Sequence, residues 1–437
     1  MLIVERIKEA IRYDANKFKI IFLPFIYLAG FIYSRKSNIE YLNFLSSIFR
    51  LAWPGTYTFT VNAVKKRFID KDTGQMQHSV FYEMLNNIED IERYKKFIDH
   101  PYKMLDGIIT VMAPKTEHHK GVLVIAYSYY FLIFLKAFNF EEVEKHYHIV
   151  LEPSWNGLCD QAILSFSFLQ NPVFVMAYED RDFNLLSDLN TNLVPLRLSA
   201  NWWIDPAVFN HGVSAAERDI DIIMIAAWAK FKRHDVFFKT LRKLKQSGKA
   251  YKVTLVGYPN DLTQDDIKDL ARDYDVLDML TFYEWIPVIE VAKLVGRAKV
   301  NIIWSRFEGL NRAIIEGMFC DTPCILREGF NFGMQYPYIN KKTGRYANES
   351  NLDKVLELII ENGEDFSPRE YILEHHNCYV AARYLAAEIK RIDPDFQVDS
   401  LLPKTSELNG MKYLNEEDHV RMANDYIYLA QAIIADT

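Results

Sequence analysis

Cysteine is scarce in this chain, with four in 437 residues: Cys159, Cys320, Cys324 and Cys378. That excludes a disulfide framework, and although Cys320 and Cys324 flank Pro323, no second pair completes a zinc site. Reduced thiols, and with them a cytoplasmic setting, are expected. Positive charge is not in excess either: 51 basic against 58 acidic side chains leave a net charge of −7. Nucleic-acid binding by bulk electrostatics is therefore not expected. No Gly-x-Gly-x-x-Gly or phosphate-loop sequence follows any strand-like run, which argues against dinucleotide and ATP sites. Internal repeats, low-complexity tracts and a signal-peptide pattern are missing as well.

Long apolar runs are also missing. The apolar stretch Ile20–Tyr33 is interrupted by Pro24 and Gly30 and is too short to span a bilayer. Lys17 and Lys19 precede it, and Arg35 and Lys36 follow it. Two readings stay open: a buried helix pair, or an interfacial segment over 17–36 whose aromatic and basic rim touches lipid headgroups, peripheral on the inner face of a membrane.

What is present is abundant apolar material, 50% of residues, and a length that suggests more than one core. Residues 1–105 read as a helical N-terminal region, with Tyr41–Phe49 and Phe81–Phe97 as helices. From 106 to 203 short apolar runs alternate with helical stretches: strands at Gly107–Met112, Gly121–Ala126, Tyr147–Leu151 and Pro172–Tyr178, and a helix over Tyr129–His146. Such alternation predicts parallel βαβ units. After a linker at Asn201–Pro206, a second series runs from 204 to 365. Its strands are Ile220–Ala227, Tyr251–Gly257, Leu277–Tyr283, Lys299–Trp304 and Thr322–Leu326, and its helices Asp235–Gln246, Thr263–Tyr274, Pro287–Ala298 and Asn311–Phe319. Residues 366–437 read as helices, Arg369–Ile392 and Glu416–Ala435, the last crossing back to the first domain. The expected fold is α/β: two Rossmann-like domains facing a cleft where strand carboxyl ends bind ligands, plus the helical N-terminal region.

The most informative segment is Val300–Glu316, read as a buried strand, a turn and a helix. Gly309 lets backbone approach a ligand closely. The helix start offers free N–H groups to an anion, and Arg312 adds a planar cationic fork suited to phosphate. Glu316 leans back toward the helix start, so its carboxylate can accept bonds from vicinal hydroxyls. Glu308, in the turn, faces whatever extends from the anion. After Ile220–Ala227 comes a second cationic segment, Trp228-Ala-Lys230-Phe-Lys232-Arg233-His234.

Two glutamates eight apart across a strand–turn–helix resemble the Glu-x7-Glu element of retaining, group 1 (family 4-like) glycosyltransferases of GT-B fold. The continuation Gly317-Met-Phe-Cys-Asp-Thr-Pro-Cys-Ile is similar to that family's sequence after its second glutamate, and Asn201–Phe209 resembles its interdomain linker. The resemblance covers residues 200–365 well and 106–200 by pattern alone. It implies that Glu316 binds the donor ribose, that Glu308 lies by the transferred sugar, and that the amides of Leu310, Asn311 and Arg312 meet the diphosphate. Lys232 falls at the family's phosphate-gripping lysine. The matching arginine position holds Ala227, for which Arg233 or Lys230 substitutes. The loop Phe282–Pro287 falls where the family binds the base, which points to Trp285. Two departures stand out, Asn311 in place of a glycine and Arg312 in place of an apolar residue.

On the first domain Glu152 and Trp155, at a strand end, are acceptor-side candidates, whereas His118 and His119 read as solvated. The resemblance implies transfer of a sugar from a nucleotide-diphosphate sugar to a saccharide or lipid-linked saccharide, with retention and without a metal or other cofactor. A hexosyl donor and a place in polysaccharide or glycoconjugate synthesis are expected. Two alternatives are a metal site at Asp180-Arg-Asp182 after the Pro172–Tyr178 strand, and a catalytically silent nucleotide-sugar-binding or scaffold protein of the same fold.

Overall fold

The computed structural model describes residues 19–434 apart from 89–91, 363–365, 399–400 and 408–409. Lys17, part of the expected helix Phe81–Phe97 and the end of Glu416–Ala435 thus lie outside the described residues. The chain divides into two units: residues up to Trp203 together with those from Ala381 onward, and Ile204–Val380.

The first unit opens with helices α1 (Lys19–Tyr33), α2 (Asn38–Leu51), α3 (Thr56–Phe68), α4 (His78–Asn87) and α5 (Glu92–Ile98). Strands β1 (Ile109–Ala113) and β2 (Gly121–Ala126) follow, then α6 (Phe131–Ala137), α7 (Phe140–His146), β3 (Tyr147–Glu152), α8 (Gln161–Leu164), β4 (Val173–Met176), α9 (Asp180–Leu189) and β5 (Leu193–Leu196). The sheet runs in sequence order, β1 to β5, with β2 to β5 parallel. β1 is antiparallel to β2, because the short connection between them cannot hold a crossover.

The expected single helix Tyr129–His146 is broken at Phe138 and Asn139. Asn139 accepts from the Glu142 amide at 3.1 Å and starts α7 as its N-cap. The peptide groups freed by the break bond the C-terminal segment, Asn139 N to Ala432 O at 2.7 Å and Ile434 N to Ala137 O at 2.9 Å.

A sheet built in sequence order puts right-handed crossovers on one face. On that face Leu123, Ile125, Ile149 and Leu151 share one core with Leu45, Phe49, Phe68 and Phe81 of the N-terminal helices. On the other face His148 of β3 meets Phe396, with ring centroids 5.6 Å apart, and Asp393 at 3.0 Å.

The second unit contains β6 (Ile220–Ile225), α10 (His234–Gln246), β7 (Val253–Gly257), α11 (Gln264–Asp273), β8 (Leu280–Glu284), α12 (Val288–Gly296), β9 (Ala298–Ile303), α13 (Arg312–Phe319), β10 (Cys324–Arg327), β11 (Gly344–Ala347), α14 (Leu352–Asn362) and α15 (Pro368–His375). All six strands are parallel, in the order β11-β10-β9-β6-β7-β8. β6, the first strand of this unit, therefore lies centrally beside β9, the fourth. The winding reverses between them, which is the dinucleotide-fold order with its switch point at the β6/β9 ends.

The helix expected over Arg369–Ile392 is interrupted at His376 and Asn377, where the Asn377 side chain accepts from the Tyr379 and Val380 amides at 2.9 and 3.1 Å. The boundary between the units falls inside the next helix, α16 (Cys378–Ile392). The first unit then adds a hairpin that local pattern did not suggest, β12 (Lys404–Glu407) and β13 (Gly410–Tyr413), and the helices α17 (Glu416–Arg421) and α18 (Ala423–Gln431).

Candidate functional site

Two loops leave the switch point side by side. One follows β6 and spans Ala226–Arg233; the other follows β9 and spans Trp304–Asn311. They are tied together directly: the Arg306 amide donates to the Phe231 carbonyl at 3.1 Å, and the rings of Phe231 and Phe307 stack with centroids 5.7 Å apart.

At their junction Lys232 Nζ lies 2.7 Å from Glu308 Oε1, and both side chains are 11% exposed. Ser305 Oγ donates to the same carboxylate oxygen, and Asn311 Nδ2 donates to the other. The Glu308 amide is anchored on Asn331 Oδ1 at 2.8 Å. Glu308 is thereby held in a fixed position at the mouth of the central strands.

Asn311 has a second role. Its Oδ1 accepts from the Ile314 amide at 3.1 Å, so it is the N-cap of α13, with φ of −67°. Where the family turn uses a glycine, this chain thus needs no left-handed conformation. One turn on, Arg312 Nε donates to Glu316 Oε1 at 3.0 Å, an i,i+4 pair on the rim of the site. Gly309 and Leu310 lie half-buried between the two glutamates.

The seat of α13 is fixed from beneath. Asn301, fully buried in β9, donates from Nδ2 to the Ala313 carbonyl at 2.8 Å. The helix lies so close to the strand that a Cβ on Gly317 would meet the same Asn301 nitrogen at 2.8 Å.

Arg233 sits in the left-handed region, φ 60°, and its buried guanidinium pairs with the exposed Glu349. His234, the first residue of α10, is buried against Trp228 and Phe238. Burial, and secondarily Lys232, push its pKa down to about 3, so the ring is neutral. Trp285 follows β8, two strands from β6, with φ 53° and 67% exposure, its ring 5.1 Å from that of Tyr258.

The structure therefore brings Lys232, Glu308 and Asn311 together, sets Arg312 and Glu316 beside them on one helix, turns Arg233 toward Glu349, and leaves Trp285 at a separate strand end. Ser305, Asn331, Asn301 and Glu349 were not singled out from sequence. Only Asn331 carried a signal, a polar turn residue between Gly329 and Gly333.

The remaining candidates lie in the first unit. Glu152 is buried and pairs with the fully buried Lys404 at 2.5 Å, and the ammonium lies 4.7 Å from the Trp203 ring centroid. Trp155 is 38% exposed, with Nε1 3.4 Å from Asp160. The carboxylates of Asp180 and Asp182 have different partners. Asp180 is exposed and pairs with Arg197 at 2.7 Å, whereas Asp182 is buried and accepts from the Gly157 and Leu158 amides at 2.7 and 2.9 Å. Among the described residues no cluster of three His, Cys, Asp or Glu side chains is placed to hold a metal ion. All four cysteines are buried and unbonded to one another.

Comparison with solved structures finds chains similar to this one. Sucrose-phosphate synthase from Thermosynechococcus elongatus is 15% identical, with 72% of this chain and 79% of that one covered and a TM-score of 0.48. The lipopolysaccharide outer core galactosyltransferase WaaB is 12% identical over 72% and 80%, with a TM-score of 0.45. HepE of Anabaena, solved with UDP and glucose, is 10% identical over 61% and 78%, also at 0.45. No curated protein sequence matches the chain. Residues 210–374 match the family described as glycosyl transferases group 1. Lys232, Glu308, Arg312 and Glu316 all lie inside the segment that matches the group 1 glycosyl transferases.

Proposed function

We propose that this chain transfers a hexosyl residue from a nucleotide-diphosphate sugar to a saccharide or lipid-linked saccharide, with retention of configuration and without a metal. One observation carries the reading: Lys232, Glu308 and the α13 start with Arg312 and Glu316 converge at the switch point of a dinucleotide-fold sheet, inside the matched family segment. The diphosphate lies against the α13 start, where Lys232 and Arg312 exchange their carboxylate partners for phosphate oxygens. Glu316, released from Arg312, accepts from the ribose hydroxyls, and Trp285 lies toward the base. Arg233 reaches the phosphates on leaving Glu349.

Fixed cations and the helix start stabilise the charge that grows on the leaving diphosphate, and such preorganised electrostatics supply most of the rate enhancement in transfers of this kind. The acceptor hydroxyl attacks on the face the diphosphate leaves, and the departing phosphate takes its proton. Glu308, with its lone pairs already engaged by Lys232, Ser305 and Asn311, positions the sugar and does not act as a free base. Glu152 and Trp155 stand on the acceptor side, although Glu152 reaches an acceptor only by leaving Lys404. The product belongs to polysaccharide or glycoconjugate synthesis, at the cytoplasmic face of a membrane that the segment 17–36 touches.

A thermal-shift screen of nucleotide sugars tests the reading: one donor class raises the melting temperature, and Glu316→Ala weakens that donor by about 1–3 kcal/mol through loss of paired hydrogen bonds. Unchanged donor affinity in calorimetry removes Glu316 from the site. A silent nucleotide-sugar-binding protein is favoured by Ala227, which leaves the family's arginine position without a cation. Donor binding without turnover across a panel of acceptors would establish it.

A further inference from the structure

Helix α1 is held on one side only. Phe22 meets Trp53 with centroids 5.8 Å apart, Tyr33 stacks on Phe44 at 4.7 Å, and Gly30 lies against Phe59. The opposite side is apolar and open to solvent. Ile21, Phe25, Leu28 and Ile32, at helical spacing, are 61%, 66%, 58% and 52% exposed. Isolated exposed apolar side chains are ordinary, but a continuous stripe of this size marks a contact surface. No described helix is long and apolar enough to cross a membrane.

The charge around this stripe chooses its partner. From Lys19 to Phe68, the stretch of α1 to α3, there are seven Lys and Arg and a single acid, Glu40, a balance of +6. The whole chain carries −7, so the remaining residues sum to −13. The cations collect at one corner. Arg35 and Lys36 follow α1 in the turn to α2; Lys65, Lys66 and Arg67 end α3, and Arg67 ties that end to the turn by donating to the Ser34 carbonyl at 2.8 Å. Lys65 and Lys66 are exposed. An apolar stripe with basic residues gathered at one end is complementary to an anionic bilayer surface, whereas a symmetric dimer through this face would set its basic corner against the same basic corner.

We propose that α1 lies in the interface of an anionic phospholipid bilayer, with Ile21, Phe25, Leu28 and Ile32 among the acyl chains and the α1/α3 basic corner on the headgroups. The docked helix also braces the loop that carries Trp155. Phe22 packs on Trp53 in the α2–α3 turn, and Arg50 at the end of α2 lies 6.0 Å from the Trp155 ring and 3.4 Å from both the Gly157 carbonyl and Asp160. That a lipid-linked acceptor meets this loop rests on the glycosyl-transfer reading; the docking itself does not.

Flotation of the full chain with phosphatidylglycerol–phosphatidylcholine vesicles, without any nucleotide sugar, tests the docking apart from catalysis. The protein floats with the anionic vesicles and about tenfold less with phosphatidylcholine alone. The double variant Phe25→Ser/Leu28→Ser stays at the bottom with an unchanged melting temperature, and Lys65→Glu/Lys66→Glu loses about tenfold in partition. Amide exchange over 19–33 slows on the vesicles, a readout that requires no variant to fold. No flotation of the unaltered chain, equal flotation of Phe25→Ser/Leu28→Ser, no slowing over 19–33, or a dimer that this variant dissociates would each overturn the proposal.

Discussion

Lys232 and Glu308 show how the site is kept ready at the level of single residues. Each is nearly out of water, so each is tolerated because the other is there: removing one partner of such a pair leaves an uncompensated charge, which costs more than the pair contributes. Lys232→Ala is expected to lower stability by about 3 kcal/mol, and Lys232→Ala/Glu308→Gln to recover much of it, since the neutral amide still bonds Ser305. Urea unfolding of the three proteins and the wild type closes the cycle; a double variant no better than Lys232→Ala denies the coupling.

The two glutamates were legible from sequence because their spacing and the glycine between them are local. The partners that fix Glu308 were not. Ser305 and Asn311 are each three residues away, but Asn331 is 23 away and Lys232 comes from another strand end. Lys404, which occupies Glu152, is 252 residues distant, and no local pattern announces such a partner.

At the scale of elements, the seat of α13 on β9 matters most, since the helix start aims Arg312, Glu316 and the loop amides together. Gly317 and Asn301 set that seat. Gly317→Ala has to displace the buried Asn301 amide, which holds the Ala313 carbonyl in the first turn. The expected loss is about 1–3 kcal/mol, the usual cost of overpacking, accompanied by weaker donor binding because the helix start shifts. Calorimetry of Gly317→Ala beside Gly317→Ala/Asn301→Ser checks this: the smaller partner restores room, though it gives up the Ala313 bond, so affinity recovers further than stability.

Strand–helix alternation made β6 to β10 legible, since buried parallel strands are near-continuous apolar runs. Short strands set by their neighbours, β5 and β11, escaped, as did the hairpin of β12 and β13. The helix break at Asn139 is a cap whose backbone amide bonds the distant Ala432 carbonyl, and the break at Asn377 is a local cap on the Tyr379 and Val380 amides, so apolar spacing alone read through both.

For the molecule as a whole, acid sensitivity is expected in both units. His148 in the first unit has its pKa lowered to about 4, chiefly by burial, and His234 in the second to about 3. An unfolded histidine takes a proton near pH 6.5. Below that pH the unfolded chain therefore binds more protons than the folded one, and stability falls as the pH is lowered toward the folded values. Burial of Asp160 and Asp182 raises their pKa values and acts in the opposite sense nearer the carboxylate range. Melting temperature should thus be flat above about pH 6.5 and decline below it. His234→Phe should flatten part of the decline, because it removes the buried titrating ring.

Charge balance at the molecular scale also bears on metal dependence. A nucleotide diphosphate brings concentrated negative charge, and an enzyme meets it either with a divalent cation or with fixed cations and a helix start. In this chain Lys232 and Arg312 stand at the α13 start, paired with Glu308 and Glu316, and on the proposed reading the diphosphate takes the place of those carboxylates. The Asp180-Arg-Asp182 pair is split, one carboxylate on Arg197 and the other on loop amides. Activity on a donor found by thermal shift is therefore expected to persist in excess EDTA and to fall in Lys232→Ala and Arg312→Ala. If each loss weakens diphosphate stabilisation, it should appear in kcat/KM and shrink as ionic strength rises and screens the cation in the wild type. Full loss in EDTA, restored by manganese, would replace the fixed cations with a metal and move the search for the site to the Asp180–Asp182 strand end.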